Sequence, residues 1–71
     1  MKREFSVRNA SIYYKGKMLS IEVETYKTRH IIYIYDKSKA IPFLDKCKCS
    51  RQVEPGLYAR EYAIANNLFC Q

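Results

Sequence analysis

The stretch MLSIEVETY, residues 18 to 26, constrains the fold of this chain more than any other. Leu19, Ile21, Val23 and Thr25 fall at alternate positions, with Ser20, Glu22 and Glu24 between them. A period of two is that of a β-strand, whose successive side chains leave on opposite faces. A helix would scatter these apolar residues around its circumference.

A strand needs partners, and the neighbouring sequence supplies them. After the polar turn Lys27-Thr28, RHIIYIYD (residues 29 to 36) is β-branched and aromatic on both faces, which predicts a central strand. Upstream, EFSVR (residues 4 to 8) places Phe5 and Val7 on one face. Ile12 and Tyr14 resume the alternation on the opposite parity, so a bend or bulge is expected near Asn9 and Ala10. Lys15-Gly16 supplies the intervening turn, because Gly takes the positive φ that a tight hairpin needs. Three strands joined by short turns make an antiparallel meander.

Residues 37 to 53 have no clear period; within them AIPFLD reads either as a short helical turn or as an edge strand, and Pro42 keeps it out of the middle of a sheet. From Pro55 the period lengthens. Tyr58, Tyr62, Ala65 and Phe69 form one helical stripe, with Leu57, Ile64 and Leu68 alongside. Glu54-Pro55 suits the helix start and Asn66-Asn67 its last turn. The fold class is α+β: a small three-stranded antiparallel meander, with room for a short fourth strand, and a C-terminal α-helix packed on the sheet. At 71 residues, the whole span 1–71 is a single small domain. An apolar content of 48% argues for a folded chain.

Charge narrows the function. Thirteen Lys and Arg against seven Asp and Glu give +6, so polyanions are attracted: nucleic acid, or an acidic protein surface. The cations recur in pairs at the ends of segments: Lys15 with Lys17, Lys27 with Arg29, Lys37 with Lys39, Lys46 with Lys48. Turns of a meander alternate between its two ends. Lys15, Lys17, Lys37 and Lys39 are therefore expected at one end, and Lys27, Arg29, Lys46, Lys48 and Arg51 at the other. Seven of the ten aromatic residues are Tyr, and Tyr26, Tyr33 and Tyr35 are candidates for stacking on unpaired bases.

The segment KCKCSR holds two of three cysteines. His30, Cys47, Cys49 and Cys70 are the soft ligands present, a conceivable zinc set. The C-x-C spacing is too short for the usual C-x-x-C knuckle that wraps the ion, so no metal or other cofactor is expected. A Cys47–Cys49 disulfide would close a strained ring. The flanking cations Lys46, Lys48 and Arg51 should favour the thiolate of Cys47 or Cys49. A single His, no glycine-rich phosphate loop and no carboxylate metal cluster argue against an enzyme and against a small-molecule substrate. Glu22 and Glu24 share a strand face, read as solvated rather than as an acid/base pair.

MKREFSVRN carries no apolar stretch behind its basic residues, and the longest apolar run, Ile31 to Tyr35, is far below the roughly 18 residues of a membrane span. A cytoplasmic location with reduced thiols is expected, the host cytoplasm if the source is viral. Two function classes follow. The first is a small basic protein that binds RNA or single-stranded nucleic acid through its Lys/Arg clusters and tyrosines. The second is a small protein-binding modulator or inhibitor of a larger enzyme or complex, of the type common in phages and mobile elements.

Overall fold

A computed structural model describes residues 5–36 and 43–70 of the chain, leaving aside the Cys70 side chain. Lys37, Lys39 and Pro42 lie outside the described residues. Strands β1 (Ser6–Tyr14), β2 (Lys17–Thr25), β3 (Arg29–Tyr35) and β4 (Asp45–Ser50) form one antiparallel sheet in the order β1-β2-β3-β4. Helix α1 (Pro55–Ala65) and a 3₁₀ turn (Leu68–Cys70) pack on one face.

The period-two pattern of β2 sorts the sheet into two faces. Leu19, Ile21 and Val23 join Ile12 of β1, Ile32 and Ile34 of β3 and Cys47 of β4 in the core beneath the helix. Ile32 and Ile34 are fully buried because β3 has a strand on each side and the helix above. The first hairpin is tight. Tyr14 pairs with Lys17, and Lys15 and Gly16 both adopt positive φ, 50° and 79°. That backbone is a type I′ turn, whose twist matches that of the strands it joins.

Three expectations from the sequence are corrected. No bulge interrupts β1: its register against β2 runs one-to-one from Ser6↔Thr25 to Tyr14↔Lys17. The change of parity has another cause. Ile12 and Tyr14 face the helix side, whereas Phe5 and Val7 belong to the opposite, open face, where the Phe5 ring stacks on Tyr26 at 4.7 Å. Second, KCKCSR is neither turn nor helix but mostly strand β4, paired through Arg29↔Ser50 and Ile34↔Asp45.

Third, the helix buries small residues rather than its tyrosine stripe. Pro55, Ala59 and Ala63 face the core, Tyr58 and Tyr62 flank them half-buried, and Ala65 and Leu57 are exposed. Alanines at the closest approach let the helix backbone settle near the sheet, which larger side chains would prevent. Glu54 caps the helix start by accepting from the Gly56 N–H at 3.0 Å. The helix stops at Ala65 because Asn67 turns left-handed, φ 58°, a conformation Asn tolerates better than most residues. The chain then folds Leu68 and Phe69 back into the core, so Phe69 leaves the helical stripe and meets Tyr14 at 5.7 Å. Among the described residues no helix is long and apolar enough to cross a membrane.

Candidate nucleic-acid interface

The open face of the sheet is set by the same alternation that builds the core. Residues opposite one another across the sheet run Val7, Glu24, Ile31, Lys48 in one row and Asn9, Glu22, Tyr33, Lys46 in the next. Strand parity therefore brings Arg29, Ile31, Tyr33 and Tyr35 of β3 onto the same face as Lys46 and Lys48 of β4. Arg29, Ile31, Lys46 and Lys48, with Cys47 at the sheet edge, line an open groove of about 420 Å³.

This placement redraws the basic clusters expected from the sequence. Lys15 and Lys17 sit at the β1–β2 turn, at one end of the sheet. Lys27, Arg29 and Arg51 gather at the other end, around the β2–β3 turn. There Arg51 donates from its backbone N–H to the Thr28 carbonyl at 3.1 Å and from Nη1 to the Tyr26 carbonyl at 3.1 Å. Lys46 and Lys48 do not sit at a segment end. They lie inside β4, opposite Tyr33 and Ile31. Lys46 and Lys48, two residues and about 6.7 Å apart on one face of β4, lead toward Arg29, which stands opposite Ser50 at the next position of that face.

Each tyrosine has a distinct environment. The Tyr33 ring carries the Lys46 ammonium 5.4 Å from its centroid and meets Phe43 edge-on at 5.5 Å. The Tyr26 ring is engaged by Phe5 and by the Arg29 guanidinium, 5.1 Å from its centroid. Its hydroxyl donates to Glu24 at 2.9 Å, and the Tyr35 hydroxyl donates to Glu22 at 2.9 Å. Partial burial, together with the hydrogen bond to a carboxylate and its charge, raises both hydroxyls above their ordinary 10. Glu22 and Glu24 form an acidic strip along β2, held by phenols, that bounds the basic half of the face. Phe43, 41% exposed, is an aromatic on this face that the sequence reading missed; its neighbour Pro42 drew attention to the backbone rather than to the ring.

The thiols belong to the other side of the sheet. Cys47 and Cys49 are free, with Cys47 buried in the core and Cys49 half-buried. Alternation points Lys46 and Lys48 away from them, so the expected stabilisation of a thiolate is reversed. Burial, with smaller effects of Cys49 and Asp45, pushes the Cys47 thiol up to about 11, and burial together with Glu54 raises Cys49.

His30 is buried, and both ring nitrogens have partners. The Thr25 hydroxyl lies 2.9 Å from Nδ1, and Nε2 lies 3.0 Å from the Arg51 carbonyl. A carbonyl only accepts, so Nε2 donates to Arg51. His30 thereby ties the end of β4 to the β2–β3 hairpin. Among the described residues no group of three or more His, Cys, Asp or Glu is placed to hold a metal ion.

Comparison with protein-family models, curated proteins and solved structures gives no match. The site is therefore read from its own chemistry.

Proposed function

We propose that this protein is a non-enzymatic binder of single-stranded nucleic acid, RNA foremost, and that the strand lies along the β3–β4 half of the open sheet face. The observation that carries this reading is the groove where Arg29, Lys46 and Lys48 line a path beside Ile31, with Tyr33 and the exposed Phe43 next to it. Cations repeating along one strand suit the repeating phosphates of a backbone, and neighbouring aromatic rings offer sequence-tolerant stacking for bases. Lys27 and Arg51 extend the path at the β2–β3 end, while the Glu22–Glu24 strip repels phosphate and confines it to that half.

Tyr33 and Phe43 are the preferred stacking residues. Tyr26 already stacks on Phe5, and the Tyr35 hydroxyl is tied to Glu22. Titration of the isotope-labelled protein with a short oligouridylate tests the footprint. Amide shifts should concentrate at Arg29, Ile31, Tyr33, Phe43, Lys46 and Lys48. Shifts centred on the Lys15–Lys17 turn, or no shifts at low salt, would remove the reading.

A further inference from the structure

The outer edge of β1 presents a second surface, distinct from the groove on the open face. In the type I′ hairpin, Tyr14 and Lys17 form a hydrogen-bonded pair, so Ile12, Ala10, Arg8 and Ser6 also bond to β2. The intervening residues Val7, Asn9, Ser11 and Tyr13 then direct their N–H and C=O groups outward. One contact supports this parity: Arg60 Nε donates to the Tyr13 carbonyl at 2.7 Å. Arg60 thereby closes the row at Tyr13, and among the described residues Val7, Asn9 and Ser11 form an exposed template of donors and acceptors.

The two edges of the sheet are treated differently. On β4 the outward positions include Lys46 and Lys48, charged side chains of the kind that deter edge pairing. On β1, Val7 to Ser11 carry a single charge, Arg8, among small and polar residues. Beside the Tyr13 end lies an open groove of about 310 Å³, lined by Ser11, Tyr13, Glu54, Gly56, Leu57 and Arg60 among others. Its apolar rim is Leu57, 65% exposed, and Tyr13, 61% exposed. An edge with unpaired backbone groups that runs into an apolar notch fits a strand with one anchoring side chain better than it fits a helix.

We propose that this edge docks an extended, acidic segment of a partner protein. The segment adds a strand to β1 through Val7, Asn9 and Ser11 and lays one apolar side chain between Tyr13 and Leu57. Charge selects the partner's sign on one face of the added strand. Arg8, paired with the core residue Val23, projects on the helix side, whereas Glu22 and Glu24 lie opposite Asn9 and Val7 on the open face. The acidic side chains of the segment therefore face Arg8 and its Val or Thr side chains lie on the open face, within a chain of net charge +6. The same charge opposes a second copy in that place.

The test uses the whole chain and a synthetic peptide alternating Val or Thr with Glu, followed by amide shifts and by hydrogen exchange. Expected are shifts and new protection at Val7, Asn9 and Ser11. Asn9→Pro removes an outward N–H without breaking the ladder to β2 and should weaken the peptide by about tenfold. Arg8→Glu, which keeps every backbone donor of the edge, serves the same comparison if the proline variant does not fold, and should weaken the acidic peptide by reversing the charge that faces it. A matched peptide with Lys for Glu should not bind. The proposal is overturned if the acidic peptide shifts the Arg29–Lys48 groove instead, binds the Asn9→Pro and Arg8→Glu variants unchanged, or does not bind at all. A dimer of the free protein that is paired through β1 also overturns it.

Discussion

Cys47 allows a quantitative test of how the sheet sorts its side chains. Its thiol is raised from the ordinary 9.0 to about 11 by burial, so at any pH below 9 the thiolate is scarcer by about a hundredfold than in the unfolded chain. The perturbation is a single-thiol protein carrying Cys49→Ser and Cys70→Ser. Its reaction with a disulfide reagent is followed from pH 7 to 11, folded and in denaturant. The folded rate at pH 8 should be slower by about a hundredfold or more, and its rise with pH should be displaced toward 11.

The same shift enters stability with a definite sign. The folded state holds the Cys47 proton to higher pH than the unfolded state does. Its contribution is therefore intact below 9 and is lost as pH climbs through about 11. Adding Lys46→Gln and Lys48→Gln should leave the thiol rate unchanged, because those cations face the other side of the sheet. If Cys47 reacts equally fast folded and unfolded, or if removing the lysines slows it, the assignment of faces in β4 is wrong.

Other consequences follow from the packing and the charge layout. Ile32→Ala, at a fully buried position of the central strand, should cost about 2–5 kcal/mol in urea unfolding; a loss below about 1 kcal/mol would mean that β3 is not at the centre of the core. Gly16→Ala should lower stability by about 1 kcal/mol through backbone strain alone, since φ is +79° and nothing lies within 4 Å of the added Cβ. A thermal melt that did not fall would contradict the I′ turn. Glu24→Gln should tighten oligonucleotide binding by roughly twofold by removing one charge from the acidic strip, and weaker binding would show that the strip does not face the ligand.

The parts of the fold legible in the sequence were those with an unbroken period. Leu19, Ile21 and Val23 announced β2 and its buried face, Gly16 its turn, and Glu54-Pro55 the helix start. Periodicity misled where two signals overlapped. In β1 a two-sided strand looked like a bulge, because Phe5 and Val7 lie on the open face, where Phe5 stacks on Tyr26, rather than in the core. In α1 the tyrosines outweighed Ala59 and Ala63, although close helix–sheet contact depends on small side chains. The 3₁₀ return of Phe69 depends on a left-handed Asn67, which a helical template reads as one more turn.

The candidate site was legible in composition but not in arrangement. Arg29, Lys46, Lys48 and Tyr33 could all be named as candidates from residue type. The convergence of Arg29, Lys46 and Lys48 on one groove, with Tyr33 beside it, depends on the β3–β4 register, which brings Lys46 opposite Tyr33. No local pattern around KCKCSR encodes that pairing, and the charges there suggested a turn. Phe43 escaped notice because its exposure and its contact with Tyr33 are tertiary properties.

The reading of the open face is tested most directly by a salt titration of oligouridylate binding on three proteins: the natural chain, Lys46→Gln/Lys48→Gln and Lys15→Gln/Lys17→Gln. The two variants carry the same net charge, so only the position of the lost cations differs. Removing Lys46 and Lys48 should weaken binding and flatten the dependence of log K on log salt by about 0.7 per lysine, the value for single strands. Removing Lys15 and Lys17 should leave the slope of the natural chain intact. Equal losses in the two variants, or binding of the natural chain that does not depend on salt, would contradict a nucleic-acid path along β4.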